Sequence, residues 1–375
     1  MEQYIMPQSA YRKLKAAKSL GQTAYLYGAT GYGKTSFVRR FLAKRRHTYL
    51  SCGDRHWDES ALPSEGTVVL DDLHLLDEPR RELVRKIIAI PDIWLILVSR
   101  SPVPAWLMPE YVNVGFMILS EGDLKLGKRE IGGYLDSLGI AYTESVLELL
   151  AKSSEGNAYV VRHAALKMAE GMAPGPQMQK EIYDAFARYL SDYVLAEWDS
   201  DLLEFLMEIS VVEEFTLPLA ELITANKMAS AMLQRAAETG NFLSRENEMY
   251  RLRPVLLHAL RERAAQALGE EQIKTCQKNA GVWYEMNGQI PQALEMYERC
   301  GAYAQIRELL IRNARMNPGS GHYYELRRYY LGMDESEAAK SPVLMAGLSM
   351  LHSMLMDPEK SEFWYEKLAE FAKTA

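Results

Sequence analysis

The chain is poor in cysteine, has no long apolar run and carries no excess of positive charge, and each shortage excludes a class of protein. Its three cysteines, Cys52, Cys276 and Cys300, are scattered over 375 residues. They offer neither metal-ligand spacing nor a disulfide framework, so plain thiols in a reducing compartment are expected. No apolar stretch approaches the roughly 20 residues that a membrane helix requires. Met1-Glu2-Gln3-Tyr4 lacks the basic flank and apolar core of an export signal, which makes the cytoplasm the expected location. A formal charge of −7 argues against a general nucleic-acid binder. Local basic clusters do occur, at Arg12, Lys13, Lys15 and Lys18 and again at Arg39, Arg40, Lys44, Arg45 and Arg46. Both read first as solvated helix faces, and the second also adds positive field near the motif described next.

What is present begins with Gly28-Ala29-Thr30-Gly31-Tyr32-Gly33-Lys34-Thr35, which fits G-x-x-x-x-G-K-[ST]. It lies between a strand-like run, Ala24 to Tyr27, and a helix-like one, Ser36 to Lys44. In that setting the backbone N–H groups of the loop, from Gly28 to Ser36, cradle phosphate at a helix N-terminus, Lys34 adds a cation, and the Thr35 hydroxyl holds Mg²⁺. Thr67-Val68-Val69-Leu70-Asp71-Asp72 reads as a buried parallel strand ending in two acids. Asp71 is the expected Mg²⁺ partner, and Asp72 is placed to orient or deprotonate an attacking water. Trp94 to Arg100 is a third strand-like run. Its end supplies Ser99 or Arg100 as a sensor of the γ-phosphate, because guanidinium forks suit phosphate oxygens; a surface arginine opening a loop is the equal alternative. Nothing in the chain reads as a base for a substrate hydroxyl, which disfavours a small-molecule kinase.

A hydrophobic share of 48% and a charged share of 25% are those of a globular chain with sizeable cores, and the length predicts two to four domains. Residues 1–120 alternate strand-like and helix-like runs, the pattern of an α/β domain with a parallel sheet flanked by helices. Strands are expected near 24–28, 47–52, 67–72, 94–100 and 113–118, with helices near 9–19, 34–45 and 77–89. From Ser120 onward apolar residues recur at three and four, as in Val146, Leu149 and Leu150, so helix dominates. A helical lid over 121–172 ends at Gly171-Met172-Ala173-Pro174-Gly175-Pro176, a linker by composition. Residues 180–265 form one compact helical unit with a short wing near Phe242 to Ser244 and Tyr250 to Leu252. Over 266–375, Ala280 to Gly288 followed by Ala293, Leu294 and Tyr297 suggests helix–turn–helix repeats of the TPR-like kind. Tyr323, Tyr324, Tyr329 and Tyr330 are read first as repeat core and surface, and second as aromatic material for a binding face.

Together, Gly31 to Thr35, Leu70-Asp71-Asp72-Leu73-His74 and Val98-Ser99-Arg100 resemble the regulatory ATPases of the STAND class, most closely the large LuxR-type transcription activators of the maltose-regulon-activator kind. Ser154-Glu155-Gly156-Asn157 is similar to the family's lid motif, and Asp199 to Leu206 to the start of its winged-helix unit. The resemblance implies a P-loop domain, lid, winged helix and helical sensor. It also implies ATP/ADP and Mg²⁺ as cofactors, weak ATPase activity, and an inducer, a small molecule or protein, received by the helical repeats. ADP holds a closed form, and inducer plus ATP favours a form that self-associates, each ligand acting through its differential affinity for the two. Three departures stand out. Ala158 occupies the place of the family's lid proline. Arg253-Pro254 stands where the family's winged helix carries a histidine near the ADP phosphates, which makes Arg253 a nucleotide-binding candidate. The repeat array is expected to be cut short at Ala375, so DNA contact would come only through a C-terminal helix-turn-helix outside this chain. A DNA-stimulated remodelling ATPase and a nucleotide-stabilised scaffold are the alternatives.

Overall fold

The structure is a computed structural model that describes residues 4–54, 56, 60, 62–239, 242–317 and 319–374; Met1 to Gln3, read above as part of a terminus without export signal, lie outside the described residues. The chain divides into two compact units, one of Met1–Leu206 with Met228–Arg263, the other of Met207–Lys227 with Ala264–Ala375.

The first unit opens with α1 (Gln8–Leu20), β1 (Ala24–Tyr27), α2 (Lys34–Leu42), β2 (Thr48–Ser51), β3 (Gly66–Asp71), α3 (Glu78–Ile88), β4 (Ile93–Ser99), α4 (Met108–Val114) and β5 (Met117–Leu119). The five strands form one parallel sheet in the order β2-β3-β4-β1-β5. All seven residues of β4 are buried, which is why this strand reads as an unbroken apolar run instead of an alternating one. β4 enters between β1 and β3, pairing Tyr27 with Ser99 and Leu70 with Leu97. The ends of the phosphate-loop strand and of the acidic strand therefore flank Ser99 and Arg100, at the carboxyl edge where open α/β sheets bind ligands.

The fifth strand is shorter and later than the sequence pattern predicts. Residues 108–114 are helical, with Pro109 in the first turn and Gly115 at φ 75° closing the helix. Val112 and Val114, which look like strand residues, are 72% and 53% exposed on it. The basic clusters are partly absorbed by aromatic faces: Lys18 lies over Trp94, Arg39 over Tyr49 and Arg45 over Phe41.

Beyond the sheet, the unit continues through α5 (Glu121–Leu124), α6 (Lys128–Ser137), α7 (Glu144–Ser154), α8 (Ala158–Ala169) and α9 (Pro176–Tyr193). The Gly/Pro linker falls between α8 and α9, where Gly171 takes φ 91° and Pro176 opens the next helix. Leu243–Glu246 and Met249–Leu252 pair as an antiparallel hairpin turned at Asn247, φ 56°, which is the wing expected from the sequence. In the second unit, helices Glu270–Met286 and Ile290–Arg299 pack together, as do Pro342–Met354 and Pro358–Thr374. Tyr297, Tyr323 and Tyr330 are core residues here, whereas Tyr324 is 45% exposed. Among the described residues, no helix is long and apolar enough to cross a membrane.

Candidate functional site

A chain leaving a buried strand and entering a helix within a few residues must turn its amide groups inward, which asks for positive φ. Gly31 and Gly33 supply it at 90° and 75°. Gly31 has no room for a side chain: a Cβ there would fall 2.7 Å from the Asn157 amide and 2.8 Å from Phe186. Lys34, the first residue of α2, folds back and donates from Nζ to Gly28 O at 2.6 Å and Ala29 O at 3.0 Å. Burial, with Arg100 nearby, pulls its ammonium down to about 8, against the opposing pull of Asp71, Asp72 and Glu121. An ammonium so placed is short of negative charge.

Thr35, in the first turn of α2, meets Asp71 at the end of β3, with Thr35 Oγ1 donating to Asp71 Oδ2 at 2.7 Å. The Tyr49 hydroxyl, from β2, donates to the same oxygen. Asp71 Oδ1 accepts from the Asp72 amide at 2.8 Å, and Asp72 itself sits at φ 55°, a conformation an aspartate tolerates but most residues avoid. Burial and the neighbouring Asp71 raise the Asp72 carboxyl above its ordinary value, opposed by Arg100 and Lys34.

One cavity of about 340 Å³ gathers Thr30, Gly31, Tyr32, Gly33, Lys34, Thr35, Ser36, Asp72 and Arg100 along its wall, with Tyr4, Ile5, Pro7, Leu126, Tyr134, Ala158, Tyr159, Arg162 and Tyr189 completing it. Asp71 reaches it through Thr35. Ser99 does not line it; its hydroxyl accepts the Ser101 amide at 3.3 Å. Gly28, Ala29 and Arg253 stand apart from it as well. Gly28 is pressed on Glu121, whose Cβ lies 3.0 Å from where a Gly28 Cβ would be. Ala29 donates its amide to Glu121 Oε2 at 3.0 Å. Arg253 pairs with Glu121 Oε1 at 2.7 Å, donates to the Tyr32 hydroxyl at 3.1 Å and lies over the Tyr32 ring.

Three residues of this arrangement escape sequence reasoning: Tyr49, Glu121 and Glu197. Ser120-Glu121-Gly122-Asp123 does carry a capping-box signal, and Asp123 closes the box, but nothing in that pattern tells where Glu121 points. Glu197 holds Arg100, Nη1 to Oε2 at 2.9 Å. The segment from Asn157 to Tyr159 touches the loop: Asn157 Nδ2 donates to Thr30 O at 3.2 Å, and the Tyr159 amide donates to Gly31 O at 2.9 Å.

The residues fit a phosphate-bearing ligand with a divalent cation. Two positive-φ glycines leave the loop amides unscreened by side chains, the Thr30 hydroxyl is buried without a partner, and a hydroxyl and a carboxylate oxygen, both hard donors, converge at Thr35 and Asp71.

Comparison with known proteins agrees with this geometry. Residues 191–272 match the family model of the MalT winged helix domain. The chain is 24% identical over 255 residues to the serine/threonine-protein kinase PknK of Mycobacterium tuberculosis, covering 65% of this chain and 23% of that protein. The kinase of the same name from Mycobacterium bovis matches equally. The chain thus spans about a quarter of the length of the curated relatives it matches. The Walker-type ATPase PABY2304 of Pyrococcus abyssi superposes with a TM-score of 0.55 at 13% identity, over 69% of this chain and 96% of that one. A STAND protein with a tetratricopeptide repeat sensor from Pyrococcus horikoshii, also 13% identical, covers 98% of this chain and 58% of its own at a TM-score of 0.36. The chain thus has the fold of a Walker-type ATPase around its phosphate loop and, over residues 191–272, a segment similar to the MalT winged helix domain.

Proposed function

We propose that this chain is the ATP- and ADP-binding switch module of a LuxR-type transcription regulator, in which slow hydrolysis gates inducer-dependent self-association. The contact between Thr35, in the first turn of α2, and Asp71, at the end of β3, 2.7 Å apart and beside Lys34, carries the reading. In this reading residues 1–120 bind nucleotide, 121–172 form the lid, 180–265 the winged-helix unit, and 266–375 receive the inducer.

The amides of Gly31 to Ser36 and the Lys34 ammonium hold the phosphates, and Lys34 exchanges the carbonyls of Gly28 and Ala29 for phosphate oxygens. Thr35 and Asp71 would hold Mg²⁺, which when bound would neutralise charge on the phosphate oxygens. Asp72 orients or deprotonates water, with a carboxyl made more basic by burial and by Asp71. Arg100 receives the terminal phosphate. Arg253 acts on the loop through Tyr32 and Glu121, without touching phosphate itself. The flat faces of Tyr4, Tyr134 and Tyr159 along the cavity wall suit a nucleobase.

The test is to identify and quantify nucleotide released on denaturing freshly purified protein, and to titrate ADP and Mg-ATP into the unaltered chain and into Lys34→Ala. Near-stoichiometric ADP, or tight binding weakened at least about 100-fold in the variant, is expected, since a buried charged contact to phosphate is worth roughly 3 kcal/mol. An empty protein that gains no thermal stability from Mg-ATP refutes the reading.

A further inference from the structure

Arg100 stands between two cavities. On one side is the cavity of the phosphate loop; on the other is a separate one of about 300 Å³ lined by His74, Glu197, Trp198 and Arg235. Its side chain is only 14% exposed, so its charge needs a partner. The partner is Glu197, which ends the short 3-10 turn Leu195–Glu197 directly after α9. Glu197 lies in the segment that matches the MalT winged helix domain, whereas Arg100 follows β4 of the sheet. Two anions therefore have a claim on one guanidinium: the carboxylate of Glu197, and whatever phosphate lies farthest out from the loop. A diphosphate held by Lys34 and the loop amides lacks the group that would make this claim, and a triphosphate has it.

We propose that Glu197 is a positioning residue that holds Arg100 in competition with the terminal phosphate of a nucleoside triphosphate, and so sets the chain's discrimination between triphosphate and diphosphate. The proposal rests on the nucleotide-switch reading above. It makes the winged-helix segment a reporter of the nucleotide: a triphosphate that captures Arg100 leaves Glu197 without its cation, and the loss of that pair is felt at the C-terminal end of α9. A ligand shifts such an equilibrium only by its differential affinity for the two arrangements, and the Arg100–Glu197 pair supplies a difference that ADP cannot exploit.

The experiment is a binding comparison on the whole chain with Mg²⁺ present, using ADP and a non-hydrolysable ATP analogue. Glu197→Gln keeps the shape and removes the competing charge. It is expected to tighten the analogue about tenfold, equivalent to about 1.4 kcal/mol, while ADP affinity stays within about twofold of the unaltered chain. Arg100→Ala in the Glu197→Gln background is expected to abolish that gain, because the two residues act as one unit. A merely structural role for Glu197 would move both nucleotides together. Equal tightening of both, no change in either, or a gain that survives Arg100→Ala overturns the proposal while leaving the nucleotide site intact. Failure of the unaltered chain to bind either nucleotide overturns the switch reading and this proposal together.

Discussion

Glu121 is the residue whose loss should cost the first unit most for the fewest atoms removed. Its side chain is 7% exposed, and its two oxygens are divided between the Ala29 amide and the Arg253 guanidinium, itself 21% exposed. Glu121→Ala strands both. Removing one member of a buried charge pair costs about 3–5 kcal/mol; Arg253 keeps the Tyr32 hydroxyl and some solvent, so the lower end, about 3 kcal/mol, applies. Glu121→Gln retains an acceptor for Ala29 while giving up the charge, and should cost about half as much. Of the chain's three cysteines, only Cys52 lies in this unit. It is fully buried, and burial pushes its thiol up to about 12. In a Cys276→Ser, Cys300→Ser background, the rate of Cys52 modification by a thiol reagent therefore reports opening of the unit. The expected acceleration is about 100-fold for Glu121→Ala and about tenfold for Glu121→Gln, at about 1.4 kcal/mol per decade. Equal rates in the two variants, or less than about fivefold acceleration in Glu121→Ala, would refute the assignment of Glu121 as a brace between loop and Arg253.

Two further outcomes follow from the same structure. Burial lowers His74 to about 3, with both ring nitrogens lacking hydrogen-bond partners; a base kept neutral in the fold contributes stability that is present above its unfolded value near 6.5 and is lost as pH falls toward 3. Between about pH 7 and about pH 4.5 the unaltered chain should lose roughly 2–3 kcal/mol more than His74→Phe by urea unfolding of the first unit, at 1.36 kcal/mol per pH unit; parallel losses would sink the argument. In the second unit, a Cβ at Gly347 would fall 2.5 Å from Tyr323 and 3.1 Å from Tyr330, both core residues. Gly347→Ala should therefore destabilise by about 1–3 kcal/mol despite the roughly 1 kcal/mol better helix propensity of alanine. Labelling of the buried Cys276 should accelerate at least about fivefold while Cys52 is unaffected, and a gain in stability would show that propensity outweighs the overlap.

Local features of the site were legible because their physics is local. A tight turn between strand and helix needs glycine at set positions, and a doubly covered strand must be apolar from end to end, so the phosphate loop, Asp71 with Asp72, and the run to Arg100 all announce themselves within eight residues or fewer. The wing was legible for a similar reason, two short alternating runs around a turn residue, Asn247. Residues 113–118 misled because Val114 is apolar yet faces solvent on α4; hydrophobicity marks a strand only where a core receives it, and Pro109 and Gly115 were the better guides to this segment.

Partners of the site residues were not legible, and they decide how the site behaves. Lys34, Arg100 and Arg253 each read as a cation free for phosphate, but in the structure each is already engaged: Lys34 by Gly28 and Ala29, Arg100 by Glu197, and Arg253 by Glu121 and Tyr32. Pairs such as Arg100 with Glu197 join residues 97 positions apart, and no motif encodes them, since an acid at position 121 or 197 is common on any helical surface. Two of these cations, Lys34 and Arg100, line the cavity, and the third, Arg253, braces the loop beside it, so on the proposed reading the affinity of the site is set by exchange of partners. Binding then depends on how strongly the present partners hold, and two of those, Glu197 and the Glu121 that grips Arg253, lie outside the phosphate-loop, strand-end and lid motifs. If the Arg100–Glu197 proposal holds, discrimination between nucleotides is a property of the segments that follow the sheet as much as of the phosphate loop.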